Sequence, residues 1–421
     1  MSDWKEYKLG DLIESVSKTF KFGDTKVYFL NTSDTLEGKV INHELFKPED
    51  LPGQAKKSIK LNDILYSEIR PANKRYAFVD FNPDNYVVST KLMVLRIVET
   101  TIIIPKYLYY YLTSNETIDL LQFLAESRSG TFPQIRFEEV SHLSISLPTI
   151  PIQEQIVELI SSLDDKIELN NKINQELEDL AQTLFKQWFI DFEFPNENGE
   201  PYKSSGGEMV DSELGEIPKG WLESKLDDIS NISIGRTPPR QEHHWFSKHP
   251  NDVMWISIKD MGNCGAFILN TSEFLTEEAV SKFKIPIIAS NTVIISFKLT
   301  VGRISITTDR MLSNEAIAHI NLIDDSMSPE FIYLYLKQFN FDSLGSTSSI
   351  ATAVNSKAIK ALKFIKPSQD VFQNFQLQVF PVFQQILSYT KENQQLTNLR
   401  DTLLPKIISG ELEVSQIQTT S

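Results

Sequence analysis

Between Pro151 and the tryptophan at 188, apolar side chains recur at alternating spacings of four and three. The series is Ile156, Ile160, Leu163, Ile167, Asn170, Asn174, Leu177, Ala181, Leu184 and Trp188. This is a heptad seam with two asparagines at its centre. It predicts a helix from about 153 to 190, roughly 55 Å long at ~1.5 Å per residue. A second seam runs through Val382, Ile386, Tyr389, Asn393, Leu396, Leu403 and Ile407. It again holds an asparagine, although Arg400 interrupts the register. It predicts a helix over about 372–410, ended by Ser409-Gly410 as a glycine cap. Two seams of one period, each too apolar to stand alone, predict an antiparallel coiled coil. The alternative is that each helix packs only on its own neighbouring domain.

The regions before the two seams have a different period. Ile64-Leu65-Tyr66, Tyr86-Val87-Val88, Val253 to Ile258 and Val293 to Phe297 read as strands. Pro105 and Pro329 each open an aromatic helix, where a proline in the first turn forfeits no hydrogen bond. The aromatic stripes Tyr107 to Tyr111 and Phe331 to Tyr335 read as helix core by their spacing. The stretch 195–216, rich in turn residues and acidic, reads as an exposed linker.

These elements occur twice. Trp4-x-x-x-Lys8-Leu9-x-Asp11-Leu12 returns as Trp221-x-x-x-Lys225-Leu226-x-Asp228-Ile229. Pro105 to Leu112 returns as Pro329 to Leu336, and Asn170-x-x-Ile173 as Asn393-x-x-Leu396. A repeat of this length is a duplicated domain rather than a solenoid. The predicted fold is therefore α+β, with two similar mixed α/β domains in tandem, two long helices and a pseudo-twofold. The expected boundaries are 1–150, a spacer helix at 151–194, a linker at 195–216, a second domain at 217–370, and a helix and tail at 371–421.

Charge changes the picture in one respect. The net charge of −15 argues at first against nucleic acid, but residues 151–216 alone carry 4 Lys/Arg against 16 Asp/Glu. The domain at 1–150 carries 18 against 20, and 217–370 carries 16 against 16, so each can present a local basic face. The acidic pairs of the middle segment, on a heptad helix, read as solvated or facing a partner. The single cysteine, Cys264, excludes an intramolecular disulfide. No apolar run reaches the roughly 18 residues of a membrane span, and Met1-Ser2-Asp3-Trp4 opens no signal peptide, so a cytoplasmic protein is expected.

The run Leu184-Phe-Lys-Gln-Trp-Phe-Ile-Asp-Phe-Glu-Phe194, the segment Gly207 to Trp221 and the run Leu403-Leu-Pro-Lys-Ile-Ile-Ser-Gly-Glu-Leu412 strongly resemble the specificity subunit of type I restriction–modification systems. The resemblance covers the whole chain and is most specific in the helical segments and linker. It implies two target-recognition domains, each reading half of a split DNA sequence, with the helix pair as a ruler between them. It implies a non-catalytic chain that docks two methyltransferase subunits and, in the larger assembly, restriction subunits. S-adenosylmethionine would belong to the methyltransferase partner, Mg and ATP to the restriction partner, and none to this chain.

DNA recognition needs Lys and Arg for phosphates and Arg, Asn and Gln for base edges. Loops combining them recur at matching places. Arg70, Asn73, Lys74 and Arg75 follow one strand, and Lys298, Thr300 and Arg303 follow its equivalent. A second polar loop holds Arg128, Thr131, Gln134 and Arg136, and its partner holds Thr352, Asn355 and Lys357. Arg236, Arg240 and Gln241 form a third set, matched by position only with Lys18 to Lys21. His243, His244 and His249 lack a second cluster of ligand spacing and read as surface histidines. The absence of Gly-x4-Gly-Lys-Ser/Thr argues against ATP-driven work by this chain. The rival class is a protein-interaction scaffold with duplicated domains that bind no DNA.

Overall fold

The strand Ile64–Ser67 is buried at every position, which is why it reads as a continuous apolar run rather than an alternating one. It lies third in an antiparallel sheet ordered Ile13–Ser15, Leu92–Ile97, Ile64–Ser67, Tyr76–Phe78. A second sheet runs Leu45–Phe46, Val27–Leu30, Tyr86–Ser89, Ala55–Ser58, with its two middle strands parallel. Lys5–Lys8 pairs with Ser144–Leu147, and the helices Pro105–Thr113, Asn115–Ser127 and Phe137–Ser141 complete the first domain. The computed structural model describes residues 4–127, 133–341 and 356–413.

The second domain repeats the central part of this plan. Ser230–Ile234, Ile317–Leu322, Val293–Ser296 and Ile304–Thr307 follow one another antiparallel, and Phe267–Ile268 adds a fifth, parallel strand. The parallel pair Val27–Leu30 and Tyr86–Ser89 has its counterpart in Val253–Ile256 beside Leu312–Ser313. Leu222–Lys225 pairs with Lys363–Lys366, as Lys5–Lys8 does with Ser144–Leu147. After the parallel strand, both domains turn through a reciprocal cap. Asn31 N–H donates to Asp34 Oδ2 at 2.7 Å, and Ser257 N–H donates to Asp260 Oδ2 at 2.8 Å.

The long helices span Ile150–Phe189 and Gln369–Ile408. The second closes at Gly410, whose φ of +74° is one that glycine adopts freely. The chain folds as two compact units, one comprising the described residues up to Ile167 and from Gln395 onward, the other Glu168–Gln394. Each unit thus contains one domain and a stretch of both long helices.

Within the first unit, Ile156 and Ile160 of one helix share a core with Leu404 and Ile407 of the other. In the second, Ala181, Phe185 and Trp188 meet Phe375, Val379, Phe383 and Ile386. Pairing is antiparallel. In the second unit Asn170 Nδ2 donates to Asn393 Oδ1 at 2.9 Å, while Asn174, one turn further on, reaches back to Thr390 Oγ1 at 3.3 Å. The helices therefore pack on each other and on the domains at once. That double demand shifts the deepest positions off the simple heptad. Leu184 and Leu403 are half-buried, and their neighbours Phe185 and Leu404 are the buried ones. Leu163, Ile167, Leu177 and Leu396 are likewise half-buried, and Asn170 is fully buried.

Each domain is tied to its helix by an equivalent glutamine. Gln153 is fully buried; its amide donates to the carbonyls of Ile102 at 2.8 Å and Pro148 at 2.9 Å, and its oxygen accepts the Ile104 N–H that opens the aromatic helix. Gln376 does the same work at the second aromatic helix Pro329–Gln338, accepting from Ser328 Oγ at 2.8 Å and donating to Glu330 at 3.0 Å.

Two expectations need correcting. The stretch 195–216, read as an exposed linker, is exposed but carries regular structure. Met209–Ser212 and Gly215–Pro218 form a hairpin, and the Phe194, Tyr202 and Trp221 rings stack at 4.6 and 5.0 Å. Its polar composition hid Tyr202, whose ring stacks on Phe194 just before the stretch, as does that of Trp221 just beyond it. The acidic side chains of the first long helix are not all solvated either. Glu178 is buried, accepts the Tyr333 hydroxyl at 2.7 Å and pairs with Lys337 at 3.0 Å.

In the first domain, Asp63 is 1% exposed and takes both Arg96 Nε at 2.7 Å and Nη2 at 2.6 Å, besides the Lys60 N–H. Removing the buried carboxylate leaves the half-buried Arg96 guanidinium and the Lys60 N–H without their partner. Asp63→Ala should lower stability by about 3 kcal/mol, measured by denaturant unfolding followed at the domain's tyrosines. A loss below about 1 kcal/mol would mean that solvent compensates Arg96.

Candidate nucleic-acid interface

In the first domain the two polar loops proposed from sequence come together. Ile69 bridges Gln134, Arg70 N–H donates to the Pro133 carbonyl at 3.1 Å, and Ile135 N–H donates to the Glu68 carbonyl at 2.9 Å. Arg70, Asn73, Gln134 and Arg136 are all exposed. Arg70 and Lys74 sit at φ +45° and +52°, left-handed positions that side chains other than glycine seldom take. Such strain persists where surrounding structure enforces it, and it concentrates at functional loops. Arg128 and Thr131 lie outside the described residues.

In the second domain, the turn after Val293–Ser296 is closed by Ser296. Its hydroxyl accepts the Arg303 N–H at 3.0 Å, and its carbonyl accepts the Gly302 N–H at 2.9 Å. Lys298 and Thr300 are exposed at the tip. Between them Leu299, 93% exposed with φ +64°, presents an apolar side chain that the sequence reading passed over. The only signal was an apolar residue inside a run of turn residues. Thr352 and Asn355 lie outside the described residues; Lys357 is exposed in the short helix Ser356–Lys360.

The matching positions of Arg75 and Arg303 have a structural cause. Arg75 Nη1 donates to the carbonyls of Ser33 at 3.0 Å and Thr35 at 3.2 Å, which belong to the capped turn after the parallel strand. Arg303 Nη1 donates to the Ile258 carbonyl in the equivalent capped turn, and Gly262 leaves room for its guanidinium. Both arginines brace a turn through Nη1. Arg240 is also engaged, forked onto Glu273 at 2.8 and 3.0 Å and lying over Phe246 at 4.2 Å and Trp255 at 4.7 Å. Arg236 donates to the Phe283 carbonyl. Gln241, beside them, is exposed. Lys74 has only a loose, exposed partner in Glu37 at 3.6 Å. Among the described residues, Arg70, Asn73, Gln134, Arg136, Gln241, Lys298, Thr300 and Lys357 are exposed, while Arg75, Arg236, Arg240 and Arg303 also hold partners within the domain.

The loop of Arg236 to Gln241 is fixed from beneath. Gly235 N–H and Arg236 N–H donate to the carbonyls of Ile317 and Ser313. A side chain at Gly235 would meet Ser313 and Asn314 at 2.2 to 2.3 Å. Ser313 Oγ lies 2.6 Å from His319 Nε2, and Ser233 Oγ lies 3.0 Å from Nδ1. A neutral imidazole fits two hydroxyls, one nitrogen donating and the other accepting. Burial pushes the His319 pKa down to about 4.

A duplicated sheet framework, carrying exposed polar–cationic loops and fused to paired long helices, can now be set against known proteins. The sequence profile described as the type I restriction modification DNA specificity domain matches residues 1–179 and again 218–398. The chain belongs to this type I restriction–modification DNA specificity family. It is similar to the type I restriction enzyme HindI specificity subunit of Haemophilus influenzae, with 38% identity over 98% of this chain and 100% of that one. It is also similar to the MjaIX specificity subunit of Methanocaldococcus jannaschii, with 29% identity over 75% of this chain and 71% of that one. The crystal structure of the type I restriction–modification S subunit from M. genitalium shares the fold, with a TM-score of 0.53 and 17% identity over 96% of both chains. The specificity subunit is thus the DNA-target-recognition component of its system and has no catalytic activity of its own. Among the described residues, no helix is long and apolar enough to cross a membrane.

Two measurements follow for the specificity subunit. His319 stays neutral when folded until pH falls to about 4, whereas an unfolded histidine takes up its proton near 6.5. Stability is therefore lost as pH falls from 6.5 to 4, by about 3 kcal/mol in total. The second domain's melting curves should show this fall, and His319→Gln should flatten it relative to the parent. Secondly, Arg70→Ala and Lys298→Ala should leave stability unchanged. If each touches one phosphate, each should reduce the salt slope of DNA binding by about one. Arg75→Met and Arg303→Met should instead cost about 1–2 kcal/mol of stability. Equal stability losses in all four would remove the distinction.

Proposed function

We propose that this specificity subunit reads a bipartite duplex sequence, one half with each domain, and that its paired helices hold the two readers at a set separation. The observation that carries the reading is the repeat of one central sheet framework with different side chains on equivalent loops. Arg70, Asn73 and Lys74 stand in the first domain where Lys298, Leu299 and Thr300 stand in the second. One shape with two loop chemistries suits two different half-sites. Each long helix is unbroken over 40 residues, about 60 Å at 1.5 Å per residue. Half-sites on one face of B-DNA lie about 34 Å or a multiple apart, within reach of a spacer of that length.

The proposal extends to partners. Two methyltransferase subunits would dock on the helical regions, with restriction subunits joining a larger assembly. S-adenosylmethionine would be held by the methyltransferase partner, and Mg and ATP by the restriction partner. Support comes from apolar side chains left uncovered on the long helices: Leu169 and Leu180 on the first, and Leu377, Phe380 and Leu399 on the second. Leu377 is 75% exposed. Exposed apolar side chains on the helices leave room for a protein partner, and the charge of 151–216 fits a basic one.

The test is a methylation map. The cognate methyltransferase subunit is expressed in a methylation-free host with and without this chain. A split motif appearing only with the chain is expected, and replacing residues 1–150 by the corresponding domain of another specificity subunit should change one half of it. No motif from a soluble, associated complex would instead favour a scaffold that binds protein and not DNA.

A further inference from the structure

Arg400 stands where the second heptad seam calls for an apolar residue, and its surroundings explain why. Its Nη1 donates to Asp164 Oδ1 on the first long helix at 2.7 Å. Its Nε and Nη2 hold Asp401 Oδ1 at 2.9 and 2.8 Å. The second oxygen of Asp164 accepts the Tyr110 hydroxyl at 2.9 Å, and that hydroxyl also lies 3.0 Å from Ser161 Oγ. Tyr110 is 3% exposed and belongs to the aromatic helix of the first domain. One carboxylate thus joins three elements: both long helices and the domain.

The connection continues toward the reading loop. The Tyr110 ring lies 5.4 Å from Tyr109, and Tyr109 lies 6.2 Å from Tyr76. Tyr76 begins the strand that leaves the loop of Arg70 to Arg75. The Tyr109 hydroxyl also fills the space beside Gly38, which hydrogen-bonds the same strand.

Resting on the half-site reading above, we propose that the Arg400–Asp164–Tyr110 group positions the first domain on the helix pair. It thereby sets which separation of half-sites the protein accepts. An apolar seam tolerates small slides and rotations because burial has no direction. A forked guanidinium and a shared carboxylate do not, since each hydrogen bond needs its own distance and angle. Fixing register is the best attested use of partly buried polar and charged groups between helices. The second domain is held differently. Glu178, two heptads along from Asp164, takes Tyr333 and Lys337 from one and the same aromatic helix. Gln376 of the opposite long helix bonds Ser328 and Glu330 at the start of that aromatic helix, so the second domain's ties are divided between two groups, whereas one carboxylate joins all three elements in the first. Arg400, Asp164 and Tyr110 are positioning residues and need no contact with DNA.

The test uses the full methyltransferase complex and a plasmid library in which the gap between the two half-sites varies by single base pairs. The wild-type complex is expected to modify one gap length. Arg400→Met and Asp164→Asn should leave both half-site sequences and subunit assembly unchanged. Modification of gaps one base pair shorter or longer should rise at least tenfold relative to the native gap. Arg400→Lys, which keeps the charge but not the fork, should fall between. Assembled variants that are as strict as wild type would overturn the proposal. Should Arg400→Met not assemble, Tyr110→Phe, which removes one hydroxyl, must still relax the gap or the proposal fails. A wild-type complex that modifies no two-part sequence would instead defeat the half-site reading itself.

Discussion

In each unit the domain is joined to the helices by one shared core, in which the aromatic helix of the domain and the two long helices exclude water together. Tyr107, Leu108 and Leu112 bury against Ile156, Ile160, Leu404 and Ile407 in the first unit. Phe331, Tyr333 and Leu334 do so against Phe185, Phe375 and Phe383 in the second. Neither the domain nor the helices could close this surface alone. Because the contact is apolar, it supplies most of the free energy but little direction. Direction comes from a few polar groups set into it. Gln153 and Gln376 receive or restrain the first turn of each aromatic helix, and at the buried Gln153 an unmade hydrogen bond costs about 1–3 kcal/mol.

The same division of labour runs through the domains. Capped turns at Asn31 and Ser257 follow the parallel strands, and Arg75 and Arg303 brace them. These cations serve the framework, and a framework that satisfies its own carbonyls leaves the neighbouring loop tips free to differ. The tips do differ: Arg70-Pro71-Ala72-Asn73 in one domain, Lys298-Leu299-Thr300 in the other. A protein that must read different sequences with a common fold needs this separation, because a change at a tip then costs the fold little.

Much of the architecture was legible in the sequence because it rests on periodicity and on the internal repeat. The two helices, the proline-opened aromatic helices and the buried strands each carry a local signal several residues long. What was not legible depends on single long-range contacts. The repeat marked Arg75 and Arg303 as equivalent, but equivalence does not say whether a guanidinium faces a carbonyl or a base. The residues 195–216 looked like a linker because composition averages over a segment, whereas three rings decide its structure. Leu299 was missed because an exposed apolar residue contradicts the usual sorting of side chains, and only its exposure and left-handed backbone single it out.

The asparagines in the seam show how far such reasoning extends. Asn170 donates to Asn393 and to Glu392, and Asn393 in turn donates to Asn171 at 2.8 Å. The Oδ1 atoms of Asn170 and Asn174 are buried and lack a hydrogen-bond partner. An aliphatic layer there would pack without that cost. A polar layer penalises any slide that separates the amides, so stability is exchanged for a single register. Where a helix pair serves only to join domains, that exchange gains nothing. Where the pair serves as a gauge, a shift of one residue moves a reader by about 1.5 Å along the helix, a large part of the ~3.4 Å rise of a base pair.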